Sequence, residues 1–311
     1  MLTFTKELKL HKSKIQSVQW SIDGSFLASG SSDGTIRIIS NEEILDENGE
    51  DDSQFSRELK GHEGPVNQLA WSPIEPRQLA SCSSDKALFV WNTSALTFIL
   101  KLQFESELIN LAWSFDGRKI VCGTKFDVLI FVDALTGAIE AEHKLSYEVN
   151  EMKWNERGLW IATGSGMVQQ FEYKDNRAIL LNSWTGHTAN CYTIDVRENW
   201  IALGGADASI SVWRQLSDNE ICCCYTLNSL DWPVRCVSIS HDCNYLAGGS
   251  EDTHIDIWSM IDGELQQQIL TNGALDTISW HPKKHILVYA GDEVDRQGKA
   301  EGNVHVVFID K

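Results

Sequence analysis

Several things are scarce or missing in this 311-residue sequence. No run of eighteen apolar residues occurs, so no membrane-spanning helix is expected. The opening segment MLTFTKELKLHKSK has no apolar core and no small-residue cleavage site, and no secretory signal is expected from it. Positive charge is short: 26 Lys and Arg stand against 44 Asp and Glu, a formal net charge of −18. A chain this acidic is a poor stand-alone binder of a phosphate backbone, and the excess serves solubility first. None of the eight cysteines forms a C-x-x-C pair. Cys222, Cys223 and Cys224 are consecutive, and neighbours on a strand point to opposite faces, so the three are not expected to converge on a metal. The cysteines read as reduced, mostly buried side chains of a nuclear or cytosolic protein.

Signatures of chemistry are missing as well. There is no P-loop, no dinucleotide fingerprint and no H-E-x-x-H. GSSDG at 30–34 matches the G-x-S-x-G elbow, but that elbow needs a strand-to-helix turn and this segment lies between two strands. HPKKH at 281–285 carries two His four apart on a turn rather than a helix, which suits a solvated turn better than a metal pair. Nothing combines a nucleophile with a base and an oxyanion donor. The expectation is a non-enzyme, with no cofactor, metal or small-molecule substrate.

What is present is a repeat. VQWSIDGSFLASGSSDGTIRII, LAWSPIEPRQLASCSSDKALFVW, LAWSFDGRKIVCGTKFDVLIF and VSISHDCNYLAGGSEDTHIDIW are its clearest copies, and three weaker ones make seven. Their first anchors are Trp20, Trp71, Trp113, Trp154, Ile194, Ile239 and Trp280, separated by 51, 42, 41, 40, 45 and 41 residues. This is the period of WD40 repeats, one four-stranded propeller blade per copy. Within a copy, SVQWS alternates as a half-buried strand, DG makes a turn, FLASG and TIRII are further strands, and a poorly patterned fourth strand follows. Each sheet is apolar on both faces and is buried only by stacking radially on its neighbours. The fold expected is all-β, a seven-bladed WD40 β-propeller forming one domain over 1–311. The seventh copy ends after three strands, and TFTKELKL at 3–10 has no sheet of its own. It is expected to become the outer strand of the last blade, which removes the open edge. The one long gap holds NEEILDENGEDDSQF (41–55), seven carboxylates and no base, expected as a solvated, flexible loop. A polar insertion, DEVDRQGKAEG, spans 292–302.

Blades of this family carry a hydrogen-bonded His–Ser–Asp–Trp network. The matching positions are His11, His62 and His187, Asp33, Asp85, Asp207 and Asp252, and Trp91, Trp213 and Trp258, and their role is structural. Four residues before each anchor, where the innermost strands start around the channel, stand Gln16, Asn67, Ile109, Asn150, Asn190, Arg235 and Asp276. This mainly polar ring could hold a peptide or loop, or it could simply satisfy the strand starts; the sequence leaves both open. In SLDWPVRCVS (229–238), Leu230 replaces the network His and Trp232 replaces a Gly. Trp232 either packs over the gap or, beside Arg235, anchors a partner, as Trp and Arg do at interface hot spots.

LINLAWSFDG (108–117), YEVNEMKWNERG (147–158), LDWPVRCVSISHD (230–242), SEDTHIDIW (250–258) and WHPKKHILVYAGDE (280–293) closely resemble the WD-repeat subunits of the THO complex. The resemblance runs in order over essentially the whole chain. It implies a nucleus-located, non-catalytic scaffold in messenger-RNA processing and export. The implied partners are other THO complex subunits, chiefly the large helical scaffold subunit, and indirectly a DEAD-box RNA helicase and an mRNA export adaptor. RNA would be reached only through them. No basic run suits an import signal, so import with a partner is implied. The acidic loop and the Cys222–Cys224 run depart from the family. A general peptide-recognition module, reading a histone tail or a degron through the polar ring, is the alternative.

Overall fold

The computed structural model describes residues 2–46, 55–218, 220–294, 298 and 300–309. The architecture is a seven-bladed β-propeller built from seven antiparallel sheets in sequence order. Blade 1 comprises Ile15–Trp20, Phe26–Ser31, Thr35–Ser40 and Arg57–Lys60, and blade 2 comprises Val66–Trp71, Gln78–Ser83, Ala87–Asn92 and Thr97–Gln103. Blade 3 runs Leu108–Trp113, Lys119–Thr124, Val128–Asp133 and Ile139–Lys144, and blade 4 runs Val149–Asn155, Gly158–Thr163, Met167–Lys174 and Arg177–Thr185. Blade 5 holds Cys191–Arg197, Trp200–Gly205, Ile210–Ser217 and Glu220–Leu227, and blade 6 holds Val234–Ile239, Tyr245–Ser250, His254–Ser259 and Leu265–Leu270. Blade 7 takes Leu275–Trp280, Ile286–Gly291 and Ala300–Ile309, and its outer strand is Leu2–His11. That outer strand pairs antiparallel from Leu2 opposite Ile309 to His11 opposite Gly302, which realises the closure expected from the orphan segment. Among the described residues no helix is long and apolar enough to cross a membrane.

The chain falls into two compact units, 1–111 with 276–311, and 112–275. In the first, Leu8, Val18, Leu27, Val288 and Val306 form one buried cluster, and Ile36, Leu69, Leu79, Phe89 and Trp91 form a second. In the second, three clusters form around Met152 and Phe131, around Trp160 and Ile194, and around Ile239 and Trp258. Middle strands are buried on both faces, as in Phe26–Ser31, while outer strands such as Thr97–Gln103 are largely exposed. That contrast explains why fourth strands carry a weak sequence pattern. Side chains also stitch first strands together: Ser17 Oγ accepts the Leu69 N–H at 3.2 Å, and Asp195 Oδ2 accepts that of Ile239 at 2.7 Å.

The described parts of the two insertions carry regular structure. The acidic stretch was expected to be a loose loop from residue 41; instead Asn41–Leu45 is a short helix. Ser40 caps it, accepting from the Glu43 N–H, while the Glu43 carboxylate accepts from the Ser40 N–H, the reciprocal pattern of a capping box. Ile44 is buried beneath it, and Lys6 Nζ donates to the carbonyls of Glu43, Ile44 and Asp46, which have no partner inside the helix. The remaining acidic residues, 47–54, lie outside the described residues. In the polar insertion, Glu293 and Val294 pair with Glu301 and Ala300, which extends blade 7 as a hairpin. Residues 295–297 and 299 lie outside the described residues.

Candidate partner-binding surface

The network residues are internal ties. In blade 2, His62 Nδ1 lies 2.9 Å from Asp85 Oδ2, and His62 Nε2 lies 2.7 Å from Ser81 Oγ, which accepts from Trp91 Nε1 at 2.8 Å. Burial outweighs the attraction of Asp85 and holds the His62 pKa below 6.5. The ring is then neutral with its proton on Nδ1, facing the carboxylate. Nε2 accepts the Ser81 hydroxyl proton, and Ser81 accepts the indole N–H, so the chain of bonds is complete. Burial alone would raise the Asp85 pKa, but the Glu63 N–H, His62 and the Ala87 N–H together hold it below the usual range.

The other blades vary this theme. In blade 1, His11 reaches Ser29 at 2.8 Å, Thr35 at 3.1 Å and Asp33 at 3.3 Å, and no indole takes part. In blade 5, His187 faces both oxygens of Asp207 at 3.0 and 3.1 Å, but the serine has moved to the third strand. There Ser211 contacts His187 Nε2 at 3.2 Å and accepts from Trp213 at 2.8 Å. In blade 6, Asp252 accepts the N–H groups of Asp231 and Trp232 at 2.9 and 3.3 Å, and Trp258 is buried.

Three network residues escaped the sequence reading: Asp256, Glu293 and His305. Asp256, fully buried, takes the third-strand position that Ser211 holds in blade 5. It accepts from Ser229 Oγ and from Gln268 Nε2 at 2.9 Å. The signal available was an acid between two isoleucines in HIDIW, at an inward-facing register. In blade 7, buried Glu293 lies 2.7 Å from His305 Nε2, and Tyr289 stacks on that imidazole at 4.8 Å. The HPKKH turn is structural at its start: His281 is buried and its Nε2 lies 3.1 Å from the Gly24 carbonyl oxygen.

The polar ring is largely engaged within the fold. In the first unit, Gln16 donates to Ser32 Oγ at 2.9 Å, and Asn67 donates to the Leu108 carbonyl at 2.7 Å. Asp276 is paired at 2.9 Å with Lys14, which also meets Asp292 at 2.8 Å. Burial would lower the Lys14 pKa, but the two carboxylates hold it above its ordinary value. In the second unit, Asn150 donates to Asn190 Oδ1 and to the Cys191 carbonyl. Arg235 meets Glu251 at 2.8 Å and lies over the Tyr192 ring at 4.3 Å. Trp232 differs from all of these, with 55% of its surface exposed. The packing role considered for it is corrected: Leu230 is the residue that fills the space, buried with Trp258 and Met260. A leucine occupies the site left by the imidazole, and the indole beside it faces solvent. Among the cysteines, Cys82, Cys122, Cys191 and Cys236 are buried, with burial pushing Cys122 and Cys191 up to about 12. Cys223 and Cys224 are exposed on the outer strand of blade 5.

Comparison with known proteins agrees with this architecture. The family "WD domain, G-beta repeat" matches residues 2–40, 53–92 and 221–259. THO complex subunit 3 of Arabidopsis thaliana is 34% identical over 308 residues, 98% of this chain and 95% of its own length. WD repeat-containing protein AAC3 of Dictyostelium discoideum is 28% identical over 95% of this chain and 65% of its own length. Among solved structures, the β-propeller domain of Myceliophteria thermophila Cps50 (Swd1) superposes with a TM-score of 0.80, covering 100% of this chain and 99% of that domain at 17% identity. That last likeness concerns the fold alone. Near-complete mutual coverage at 34% identity, on a scaffold of seven WD-repeat blades, means that the chain belongs to the THO complex subunit 3 family.

Proposed function

We propose that the protein is a non-catalytic scaffold subunit of a THO-type assembly, acting in messenger-RNA processing and nuclear mRNA export through protein–protein contacts. The observation that carries this is the 34% identity to THO complex subunit 3 over nearly the full length of both chains. On this reading the propeller acts as one domain in the nucleus. It docks chiefly on the large helical subunit and meets the RNA helicase, the export adaptor and RNA indirectly. The exposed indole of Trp232, with Arg235 over Tyr192 close by in sequence and fold, is the contact point assigned on the strand-start face. Asn150 and Asn190 in the second unit, and Gln16, Asn67 and Asp276 in the first, are the further contact candidates at their strand starts.

Affinity purification with mass spectrometry tests the assignment. The wild-type chain should recover a large helical subunit and an RNA helicase. Trp232→Ala with Arg235→Ala should lose the helical subunit while the melting temperature falls by only about a few degrees, since an exposed indole and a partly exposed ion pair each contribute little to folding. Recovery of cytosolic partners alone would overturn the assignment. A short peptide lost on mutation, with assembly intact, would favour a histone-tail or degron reader.

A further inference from the structure

A groove of about 690 Å³ opens in the second unit, where the turns joining first and second strands of blades 3 and 4 lie beside the third strands of blades 4 and 5. In blade 4 it sits at the opposite end of the first strand from Asn150, because Trp154 and Asn155 at the strand's far end line it. It is therefore separate from the face carrying Trp232.

Three features of the groove point to one chemistry. Its walls are aromatic and apolar: Trp154, Tyr173 and the exposed Phe115 and Leu181. Its charge is negative, with Asp116, Glu156, Glu172 and Asp218 against Lys119 and Arg157. Both cations are already engaged, Lys119 by Asp133 and Glu140, and Arg157 by Asp218 at 3.7 Å. The third feature is an open acceptor. Gln215 lines the groove at 2% exposure, and its Oε1 is buried with no hydrogen-bond partner among the described residues. The adjacent Gln170 meets Gln215 through its Oε1, which accepts from Gln215 Nε2 at 3.5 Å and from the Asn182 amide at 2.7 Å, while its Nε2 donates to the Arg157 carbonyl at 2.8 Å. A buried amide oxygen left open is costly, and the residue that carries it is part of the wall of a cavity lined by ring faces and carboxylates.

We propose that this groove docks a basic segment of a partner protein and takes in one of its arginine side chains. A guanidinium matches each feature. Its flat face stacks on Trp154 or Tyr173, its positive charge meets Glu172 and Asp218, and its N–H groups supply the donor that Gln215 Oε1 lacks. A lysine ammonium supplies charge but no planar face. The volume exceeds one side chain and leaves room for flanking backbone, which favours a peptide over a free amino acid. The inference is independent of which complex the propeller serves.

The test measures fluorescence anisotropy of a labelled (Arg-Gly)4 peptide with the full chain at about 150 mM salt, where long-range attraction is screened. The peptide should bind, (Lys-Gly)4 should bind several-fold more weakly, and (Asp-Gly)4 should not bind. Gln215→Leu should weaken binding by about tenfold or more, the effect of losing a hydrogen bond to a charged group, with the melting temperature held or raised. The surface pair Glu172→Gln with Asp218→Asn should weaken it comparably and leaves the floor untouched, so it decides the matter if Gln215→Leu does not fold. Trp232→Ala should bind as wild type does. No binding at millimolar protein, unchanged binding in the surface pair, or equal affinity for free argininamide would each overturn the proposal.

Discussion

Ser81→Ala tests whether the blade network is a chain of bonds or a set of coincident neighbours. The substitution removes one hydroxyl from a fully buried site. Two partners lose their bond: the Trp91 indole N–H, on a residue 1% exposed, and His62 Nε2, on a side chain 1% exposed. Water reaches neither. A buried polar group left open costs about 1–3 kcal/mol, so the pair should cost about 2–6 kcal/mol. Ser211→Ala in blade 5 is the internal control. Trp213 is only half-buried, so water can replace the bond its indole loses, and chiefly His187 Nε2 is left open. Its cost should be roughly half, about 1–3 kcal/mol. Urea unfolding measures both, read as a shifted midpoint at constant slope. A double-mutant cycle sharpens the test, because in a Trp91→Phe background the indole donor is gone and Ser81→Ala should cost about 1 kcal/mol less. A cost below about 0.5 kcal/mol for Ser81→Ala, or full additivity with Trp91→Phe, would refute the bond chain.

Acidification should weaken the fold in two stages. Burial depresses the folded His62 pKa below 6.5, so below about pH 6.5 the unfolded chain binds the extra proton first and stability falls. The folded carboxylates of Asp85 and Asp207 are also depressed, so their contribution holds above about pH 4 and is lost as pH falls through their folded values. Urea midpoints at pH 7.5 and 5.5 should differ in the wild type and differ less in His62→Asn; equal slopes in the two proteins would contradict the first stage. In blade 6, Asp256→Ala strands Ser229 and Gln268 and should cost about 3 kcal/mol, whereas Asp256→Asn keeps one acceptor and should cost about half of that. Calorimetry distinguishes them, and a neutral Asp256→Ala would show that the buried acid is not a tie.

The blades were legible because their period and anchors are set by burial. A first strand must put Trp or Ile into the core at one register, and the following turn must reverse the chain within a few residues, so both repeat. Closure was legible for the same reason: Leu8 and Leu10 alternate on a segment that had no sheet until it met Ala300–Ile309. The insertions were less legible because composition speaks for their exposed part only. Ser40 and Glu43 form a capping box and Ile44 supplies an anchor, but seven carboxylates conceal three such residues. The polar residues expected in a ring stand at or just before the starts of first strands, yet their availability was not readable. Whether Asn67 or Asn150 faces a ligand depends on whether a backbone carbonyl stands within reach, and that is a property of the packed neighbour strand.

The network itself shows how the repeat tolerates its own divergence. Two positions, one on the second strand and one on the third, lie side by side across the sheet and can each serve the buried tie. In blade 2 they are Ser81 and Phe89, and in blade 5 they are Leu203 and Ser211, so the hydroxyl changes strand while the indole bond stays 2.8 Å long. In blade 6 the same pair is Gly248 and Asp256, and in blade 7 it is Tyr289 and His305. Blades 2, 5, 6 and 7 each keep one buried polar tie there and fill the opposite position with whatever the packing then requires, whereas blade 3 places Cys122 and Ile130 at the pair. A motif fixed to one column of the repeat sees a lost His in blade 6. The physical constraint, a satisfied polar group beside the second and third strands, is kept through Asp256, while Leu230 is buried with Trp258 and Trp232 is left exposed.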